Sequence, residues 1–435
     1  MRKLAVKILC EVDDENSNST NLLNIYSKNL SETDSKFLRE VVYGTLENRI
    51  YLDYIIRKLC KLRIKKFDKI ILNILRISLY QLLFMDKVPH FAIINEAVNL
   101  TKEFKLKKFS SFVNGSLRNF LRNKDEFSKI EAINLAERIS IEYSTNIDIV
   151  NILLNDYKEE KTREILSSSM EKPHFSIRIS SFDKSEQEIT DKLKKLGYNL
   201  EKSKFSGKTY YIENPTNILK TKEFENGDFT VQDVGSILVS DILSPTENSD
   251  VLDICSAPGG KTAHIGFIMN NTGHILANDI SKNKLNKIKE NCNRLKVTNV
   301  ETISFDGCIF QENLKEKFDF ILCDVICSGI GVMDRKPEIK LFRTKDEIDK
   351  IIQIQRKIFE NSIHYLKQGG EIVYSTCSIL NIENEENVRY FLKNNNIELI
   401  DVEFLGKKEK YIKLLPEKQK HNGFFIAKFK KKADC

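Results

Sequence analysis

Over the first 130 residues, apolar positions recur every three to four residues. Leu38, Val42 and Leu46 repeat at i+4 with Phe37 and Val41 beside them, and Leu52, Ile55, Ile56 and Leu59 continue the stripe. This period predicts amphipathic helices. Residues 70–85 are apolar nearly all round, which predicts a central buried helix. Ser31-Glu-Thr-Asp34 offers capping side chains ahead of the Phe37 helix. One proline, Pro89, and two glycines, Gly44 and Gly115, fall in this stretch, whereas the other fifteen of the 17 glycines lie beyond it. So few breakers predict an all-α domain over 1–130.

Helical spacing persists through 130–139 and 147–154, and then the period changes. Pro173-His-Phe-Ser-Ile-Arg-Ile179 alternates as a half-buried strand does. A polar helix over 184–196, ending at Gly197, and a short strand over 210–212 complete a small α+β module, residues 131–226. From 227 to 435 strands and helices alternate. Strands are predicted at 250–254, 274–277, 300–304, 318–322 and 371–374, with helices such as 282–295 and 346–366 between them. Such alternation predicts an open parallel sheet with helices on both faces, and the right-handed crossover makes it a doubly wound, Rossmann-like α/β domain. The end, Lys430–Lys432 and Ala-Asp-Cys435, is expected to fray.

A chain of 435 residues supports two to three domains at roughly 100–200 residues each. Its 41 % apolar and 30 % charged residues exclude collagen-like, wholly disordered and membrane-spanning classes. The first residues are too charged for a signal peptide. Nine scattered cysteines, an odd number, argue against a secreted disulfide scaffold, so a reduced, cytoplasmic protein is expected. Charge sharpens the picture. The formal net charge is +7, but residues 1–130 hold 24 Lys and Arg against 15 Asp and Glu, a balance of +9, and the remainder carries −2. A basic front predicts a foothold for a polyanion, against the blander reading of a solvated lysine-rich surface. The densest patch is Lys58, Lys61, Arg63, Lys65, Lys66 and Lys69.

Candidate chemistry gathers in the α/β part. Asp253-Ile-Cys-Ser-Ala-Pro-Gly-Gly-Lys261 follows a strand and opens a helix. Gly259 and Gly260 admit a ligand to the backbone, and the helix start offers free N–H groups. The spacing is neither a Walker loop nor a dinucleotide fingerprint. Asp279, Asp306 and Asp324 stand at the ends of the next three strands, facing the crevice where doubly wound folds take ligands. A carboxylate after the second strand suits ribose hydroxyls and one after the third an adenine amino group, so a nucleoside-containing cofactor is expected. Cys327 and Cys377 lie at neighbouring strand ends and suggest a thiolate nucleophile with a partner. Cys323 sits on its strand and is expected to be buried. Cys323-x3-Cys327 has half of a metal-site spacing, but no histidine or second pair is near, so no metal is expected.

Taken together, Asp-Ile-Cys-Ser-Ala-Pro-Gly-Gly-Lys-Thr, Asp-x-x-Cys-Ser-Gly-x-Gly and Tyr-Ser-Thr-Cys-Ser resemble the S-adenosylmethionine-dependent RNA 5-methylcytosine methyltransferases, as do Val231-Gln-Asp233 and Asn422-Gly-Phe-Phe-Ile-Ala427. The front resembles the NusB-like RNA-binding fold, through Val42-Tyr-Gly-Thr45, Leu79-Tyr-Gln-Leu-Leu, Val88-Pro-His-Phe-Ala-Ile-Ile-Asn-Glu-Ala97 and Phe112-Val-Asn-Gly-Ser-Leu-Arg118. The combination is similar to the Sun/Fmu group of small-subunit ribosomal RNA methyltransferases, and the likeness spans nearly the whole chain. It implies a NusB-like domain over 1–130, an RNA-binding linker domain over 131–226 and a methyltransferase domain over 227–435. It implies that Cys255, Ser256, Ala257, Pro258, Gly259, Gly260 and Lys261 wrap the methionine part of S-adenosylmethionine, that Asp279 holds the ribose and Asp306 the adenine, and that Asp324 lies between cofactor and base. Cys377 would be the nucleophile, Cys327 would assist release, and Arg335 would contact RNA beside Lys58, Lys61, Arg63, Lys65 and Lys66. The implied partner is 16S ribosomal RNA, with no membrane or metal, and a monomer is expected.

The chain departs from the family's Asp-x-Pro-Cys at Ile326. A proline would fix φ and stiffen the turn that presents Cys327. Asn422 also replaces a common Asp. The same chemistry on a transfer RNA or another ribosomal RNA cytosine, and a non-catalytic RNA-binding or assembly protein, remain the alternatives.

Overall fold

The computed structural model describes residues 1–15, 19–171, 175–416 and 421–433. Helix Lys69–Phe84 shows why the front is helical. Asp68 caps it, its side chain accepting from the N–H groups of Ile70 and Ile71, and twelve consecutive residues from Ile71 to Leu82 are buried. Helices Arg2–Glu15, Glu32–Glu47, Arg49–Cys60 and His90–Glu103 pack around it. Ser31 caps Glu32–Glu47, as its position before Phe37 suggested. One residue in the central helix breaks the apolar pattern. Arg76 is buried and forms a two-pronged pair with Asp53, Nε to Oδ1 at 2.7 Å and Nη2 to Oδ2 at 2.7 Å, while Nη1 donates to Asp13 at 3.1 Å and Asn73 at 3.0 Å. A planar guanidinium matches carboxylate geometry in this way, which lets a charge sit in an apolar core.

The chain forms two compact units, one of Met1–Met170 with Met333–Lys345 and one of Glu171–Val332 with Asp346–Cys435. This division differs from the three-part reading at 130 and 226. Helices Leu135–Glu142 and Ile147–Ser168 belong with the front helices. So does helix Pro337–Phe342, which packs against Glu32–Glu47 with Leu341 buried in the same apolar core.

The second unit holds two main sheets. In the smaller, β1 (Ser176–Ile179) lies between β3 (Thr209–Ile212) and β4 (Phe229–Val231), with β2 (Leu200–Lys202) outside β3, all antiparallel. β4 therefore extends the small module past residue 226. Pro173 and His174, read as the start of its first strand, lie outside the described residues. Ser185 and Glu188 form a capping box that opens helix Glu186–Lys195.

The larger sheet carries the candidate chemistry. β5 (Asp250–Asp253), β6 (His274–Asn278), β7 (Val300–Ile303), β8 (Phe318–Asp324) and β9 (Leu366–Thr376) run parallel in the spatial order β9-β8-β5-β6-β7. The order reverses at β5, which pairs with β6 on one side and β8 on the other. That reversal opens a crevice beyond the carboxyl ends of these strands.

To the expected parallel sheet the structure adds an antiparallel edge. β10 (Ile397–Ile400), the hairpin of β11 (Val402–Phe404) and β12 (Lys407–Glu409), β13 (Ile412–Leu414) and β14 (Phe424–Lys431) follow, and β14 inserts antiparallel between β9 and β10. Phe424, Phe425, Ile426, Ala427 and Phe429 are buried, so β14 turns the rim of the parallel sheet into core. The expected frayed tail is corrected. β14 runs through Lys431, whose Nζ donates to the Leu366 carbonyl at 2.8 Å, and Lys432 N–H donates to Asn396 at 3.1 Å. Asp434 and Cys435 lie outside the described residues.

Candidate active site

The loop from β5 to helix Gly260–Ile268 is pinned before it reaches the crevice. Ser256 donates twice to the Asn278 carbonyl, through N–H and Oγ, each at 2.8 Å. Gly259 has φ +96°, a left-handed conformation open to glycine, and a Cβ there would stand 2.9 Å from the Ile288 backbone. Asn278, which no sequence motif marks, holds the neighbouring turns. Its Nδ2 donates to the carbonyls of Ile254 at 2.9 Å and Phe305 at 3.2 Å, and its Oδ1 accepts from Phe305 N–H at 2.8 Å. A buried amide with three backbone partners sets the spacing of three strand ends.

Asp279 and Asp306 stand beyond β6 and β7 as expected. Each closes a short turn, accepting from the N–H two residues on, Ser281 and Cys308, both at 2.9 Å. Asp253, at the end of β5, accepts from Thr262 Oγ1 at 2.7 Å, and its buried Oδ1 has no hydrogen bond of regular geometry among the described residues, with the Cys255 N–H its near neighbour. Burial pushes this carboxyl up to about 7, with Asp324's charge adding to it and the Thr262 bond and Lys261 opposing it. Burial also holds the Cys255 thiol well above its usual range, which favours its protonated form.

β8 and β9 bring the reactive groups together. Their register pairs Asp324 with Ser375. Asp324 is held on both oxygens, by Ser375 Oγ at 2.7 Å and Lys261 Nζ at 2.8 Å. Lys261 thus links the glycine loop to the end of β8. Burial works against its ammonium, but Asp324, Asp253 and Cys377 outweigh it and raise its pKa. Just beyond, Cys327 Sγ and Cys377 Sγ approach to 3.0 Å. The hydrogen bond to Cys377, then burial, then the charges of Cys377 and Glu383 hold the Cys327 thiol far above its usual range. The two thiols thus stand in direct contact just beyond β8 and β9, and that contact and burial favour the protonated form of Cys327. Cys323 is buried on β8, as alternation required.

The turns that carry the thiols are locked by backbone contact. Gly331 N–H donates to the Cys377 carbonyl at 3.0 Å, and Gly423 N–H donates to the Gly331 carbonyl at 2.8 Å. Glu383, Gln355 and the two serines that follow the cysteines form a second lock. None of these stands out in the sequence, because an acidic run such as Glu383-Asn-Glu-Glu386 reads as a solvated helix start.

Residues 240–430 match the family described as 16S rRNA methyltransferase RsmB/F, and residues 1–122 match the NusB family. The chain is 32 % identical to the probable ribosomal RNA small subunit methyltransferase B of Bacillus subtilis, over 99 % of both chains. The chain belongs to the ribosomal RNA small subunit methyltransferase B family. It is also 32 % identical to that enzyme of Proteus mirabilis, over 99 % of both. Among solved structures, PH0851 covers 98 % of both chains with a TM-score of 0.81 at 22 % identity, a likeness of fold. A methyltransferase homologue from Pyrococcus horikoshii covers 67 % of this chain and 97 % of its own, at TM-score 0.61 and 27 % identity. NSun6 from Pyrococcus horikoshii, solved with SFG, covers 65 % and 97 % at TM-score 0.58 and 25 % identity. The NusB-like front and the mixed α/β methyltransferase unit expected from the sequence are therefore both present.

The residues expected to face RNA differ in their surroundings. Lys61, Arg63, Lys65 and Lys66 are exposed. Lys58 is committed locally, donating to the carbonyls of Glu126 at 2.8 Å and Lys129 at 3.4 Å. Arg335 is half-buried in the Met333–Lys345 segment of the helical unit. No helix among the described residues is long and apolar enough to cross a membrane.

Proposed function

We propose that this methyltransferase modifies carbon 5 of one cytosine in 16S ribosomal RNA, through a covalent bond between Cys377 and carbon 6 of the base. The cofactor is S-adenosylmethionine, which when bound supplies a methyl group activated on a sulfonium. The donor set fits it. The buried Oδ1 of Asp253 suits an amino group, the Cys255–Lys261 loop suits the methionine chain, and Asp279 and Asp306 suit ribose and adenine. The observation that carries the reading is the pair of thiols 3.0 Å apart beside the Lys261–Asp324 ion pair.

Carbon 5 of cytosine is a poor nucleophile on its own. Attack by the Cys377 thiolate on carbon 6 pushes electrons to carbon 5, which can then accept the methyl group. Lys261's positive charge favours the thiolate, and Asp324, fixed by Lys261 and Ser375, is placed to support the ring as charge moves. Transfer of the carbon 5 proton to a solvent water restores the ring double bond and expels Cys377 as a thiolate, and Cys327, the neighbouring thiol, assists release by hydrogen-bonding that thiolate. The base must be unpaired or flipped out to reach such a crevice. The exposed basic patch at Lys61, Arg63, Lys65 and Lys66, with Lys58 and Arg335 as further candidates, would hold RNA by its phosphates, and such an enzyme works where ribosomal RNA is made, in the cytoplasm.

The test is transfer of labelled methyl to unmethylated small-subunit ribosomal RNA with mapping of the product base. Label at carbon 5 of one cytosine is expected, abolished in Cys377→Ala. Cys327→Ala should accumulate a protein–RNA adduct that survives denaturant. An adduct with Cys377→Ala, but none with Cys327→Ala, would reverse the two roles. Label on transfer RNA alone would overturn the substrate.

A further inference from the structure

Glu383 is a fully buried carboxylate that the transfer chemistry leaves unused. Four donors converge on it. Ser328 N–H reaches Oε1 at 2.8 Å and Gln355 Nε2 reaches the same oxygen at 2.9 Å, while the hydroxyls of Ser328 and Ser378 both donate to Oε2. Ser328 directly follows Cys327, and Ser378 directly follows Cys377. One carboxylate therefore ties together the two turns that present the thiols, and the serine hydroxyls lie 3.0 Å apart beneath it. The groups donating to it among the described residues are all uncharged. A neutral amide of the same shape could pack there, but only an acceptor on both arms satisfies donors on both arms.

The same cluster bears on Ile326, the position where the family carries proline. Gln355 Nε2 donates to the Ile326 carbonyl at 3.0 Å as well as to Glu383. Gln355 is itself fixed, its Oε1 accepting from Asn387 at 2.9 Å and from Tyr374 OH at 3.3 Å. Ile326 is exposed, so its side chain does not brace the turn. A hydrogen bond to the backbone restrains here what a proline ring would restrain covalently.

We propose that Glu383 is a positioning residue: with Gln355 it fixes the Cys327 and Cys377 turns against each other, so that both thiols meet the base in one geometry. The proposal rests on the reading of Cys377 as nucleophile and Cys327 as its release partner. Glu383's charge also counts among the causes that keep the proton on Cys327, behind the Cys377 hydrogen bond, burial and Cys377's own charge.

The test separates geometry from catalysis. Dibromobimane fluoresces when it bridges two neighbouring thiols, and it needs no substrate. Wild-type protein should give a bridging signal that Cys327→Ala removes, and Glu383→Gln should lower it towards that background. In transfer assays Glu383→Gln should lose about 10²-fold in kcat, the scale of an ångström misplacement. Its KM for RNA and its cofactor affinity should stay within about threefold, and a slow-release adduct should accumulate. Glu383→Asp, which keeps the charge on a shorter arm, should recover part of kcat. If Glu383→Gln does not fold, Ser378→Ala and Ser328→Ala each remove one donor and should show the same losses in smaller measure. An unchanged bridging signal or an unchanged kcat in a folded variant would overturn the proposal. Transfer that persists in Cys377→Ala would overturn the nucleophile assignment instead, and the bridging result would still stand.

Discussion

Replacing Gly331 by alanine tests how tightly the cysteine turns are locked. A Cβ at Gly331 would lie 2.3 Å from the Gly423 carbonyl oxygen, 2.7 Å from its carbon and 2.8 Å from the Cys377 carbonyl oxygen. All three are backbone atoms, so no side chain can swing aside. Real Cβ atoms stay beyond about 3.0 Å from such neighbours, so the Gly423 carbonyl must retreat by about 0.7 Å and the Cys377 carbonyl by about 0.2 Å. Overpacking of this kind costs about 1–3 kcal/mol. It also strains the two hydrogen bonds that join Gly331 to Cys377 and Gly423, each contributing on the order of 1 kcal/mol. Gly331→Ala should therefore lose about 2–4 kcal/mol in urea titrations at constant slope. The displaced Cys377 should cost up to about 10²-fold in single-turnover transfer. Gly115→Ala is the matched control. Nothing lies within 4 Å of a Cβ there, in the interior of helix Ser110–Arg122, and a gain of about 0.5–1 kcal/mol is expected. A Gly331→Ala protein with unchanged midpoint and unchanged transfer rate would refute the argument that backbone packing among these loops positions Cys377.

Neutralising Lys61, Arg63, Lys65 and Lys66 together should flatten the dependence of log K for RNA on log salt by about 0.7–0.9 for each phosphate no longer paired with a cation, and an unaltered slope in filter binding would remove the patch from the RNA interface. Asp253, with its carboxyl raised to about 7, holds in the folded state a proton that the unfolded chain releases near the usual carboxylate value. Its contribution to stability is full at low pH and lost as pH rises through about 7, so Asp253→Asn should raise the melting temperature relative to wild type at about pH 8 but not at about pH 4. Arg76→Ala strands the Asp13 and Asp53 carboxylates at the edge of an apolar core and should cost about 3–5 kcal/mol by denaturant titration, whereas a loss under about 1 kcal/mol would show that the pair is dispensable.

Most of this architecture is legible in the sequence, for physical reasons. The front helices announce themselves because one face of each must meet the buried Lys69–Phe84 helix, and that requirement writes a 3.6-residue period. Parallel strands covered on both faces read as apolar runs, so β5, β6, β8 and β9 stand out to within a few residues, together with the acids at the strand ends. The antiparallel edge is hidden. β14 carries Lys428, Lys430 and Lys431 among its aromatics, and the amphipathic stem of Lys431 can be buried while its amine reaches a carbonyl. Glu383 is invisible for a related reason. Its burial depends on donors from two turns, one of them far away in sequence, and no local pattern separates it from exposed Glu386. Arg76 looks like an interruption until Asp13 and Asp53 are seen beside it.

The excursion of Met333–Lys345 governs how this protein can be divided. The chain passes between its two compact units three times, after Met170, after Val332 and after Lys345. A shortened enzyme beginning beyond Met170 would carry with it a strip whose buried Lys340 and Leu341 belong to a core that is no longer there. Such a fragment would expose the apolar side of helix Pro337–Phe342. The front unit, expressed alone, would lack the helix that seals it. The two units are therefore sewn together by the chain itself, and neither can be exchanged as a cassette without carrying this stitch along.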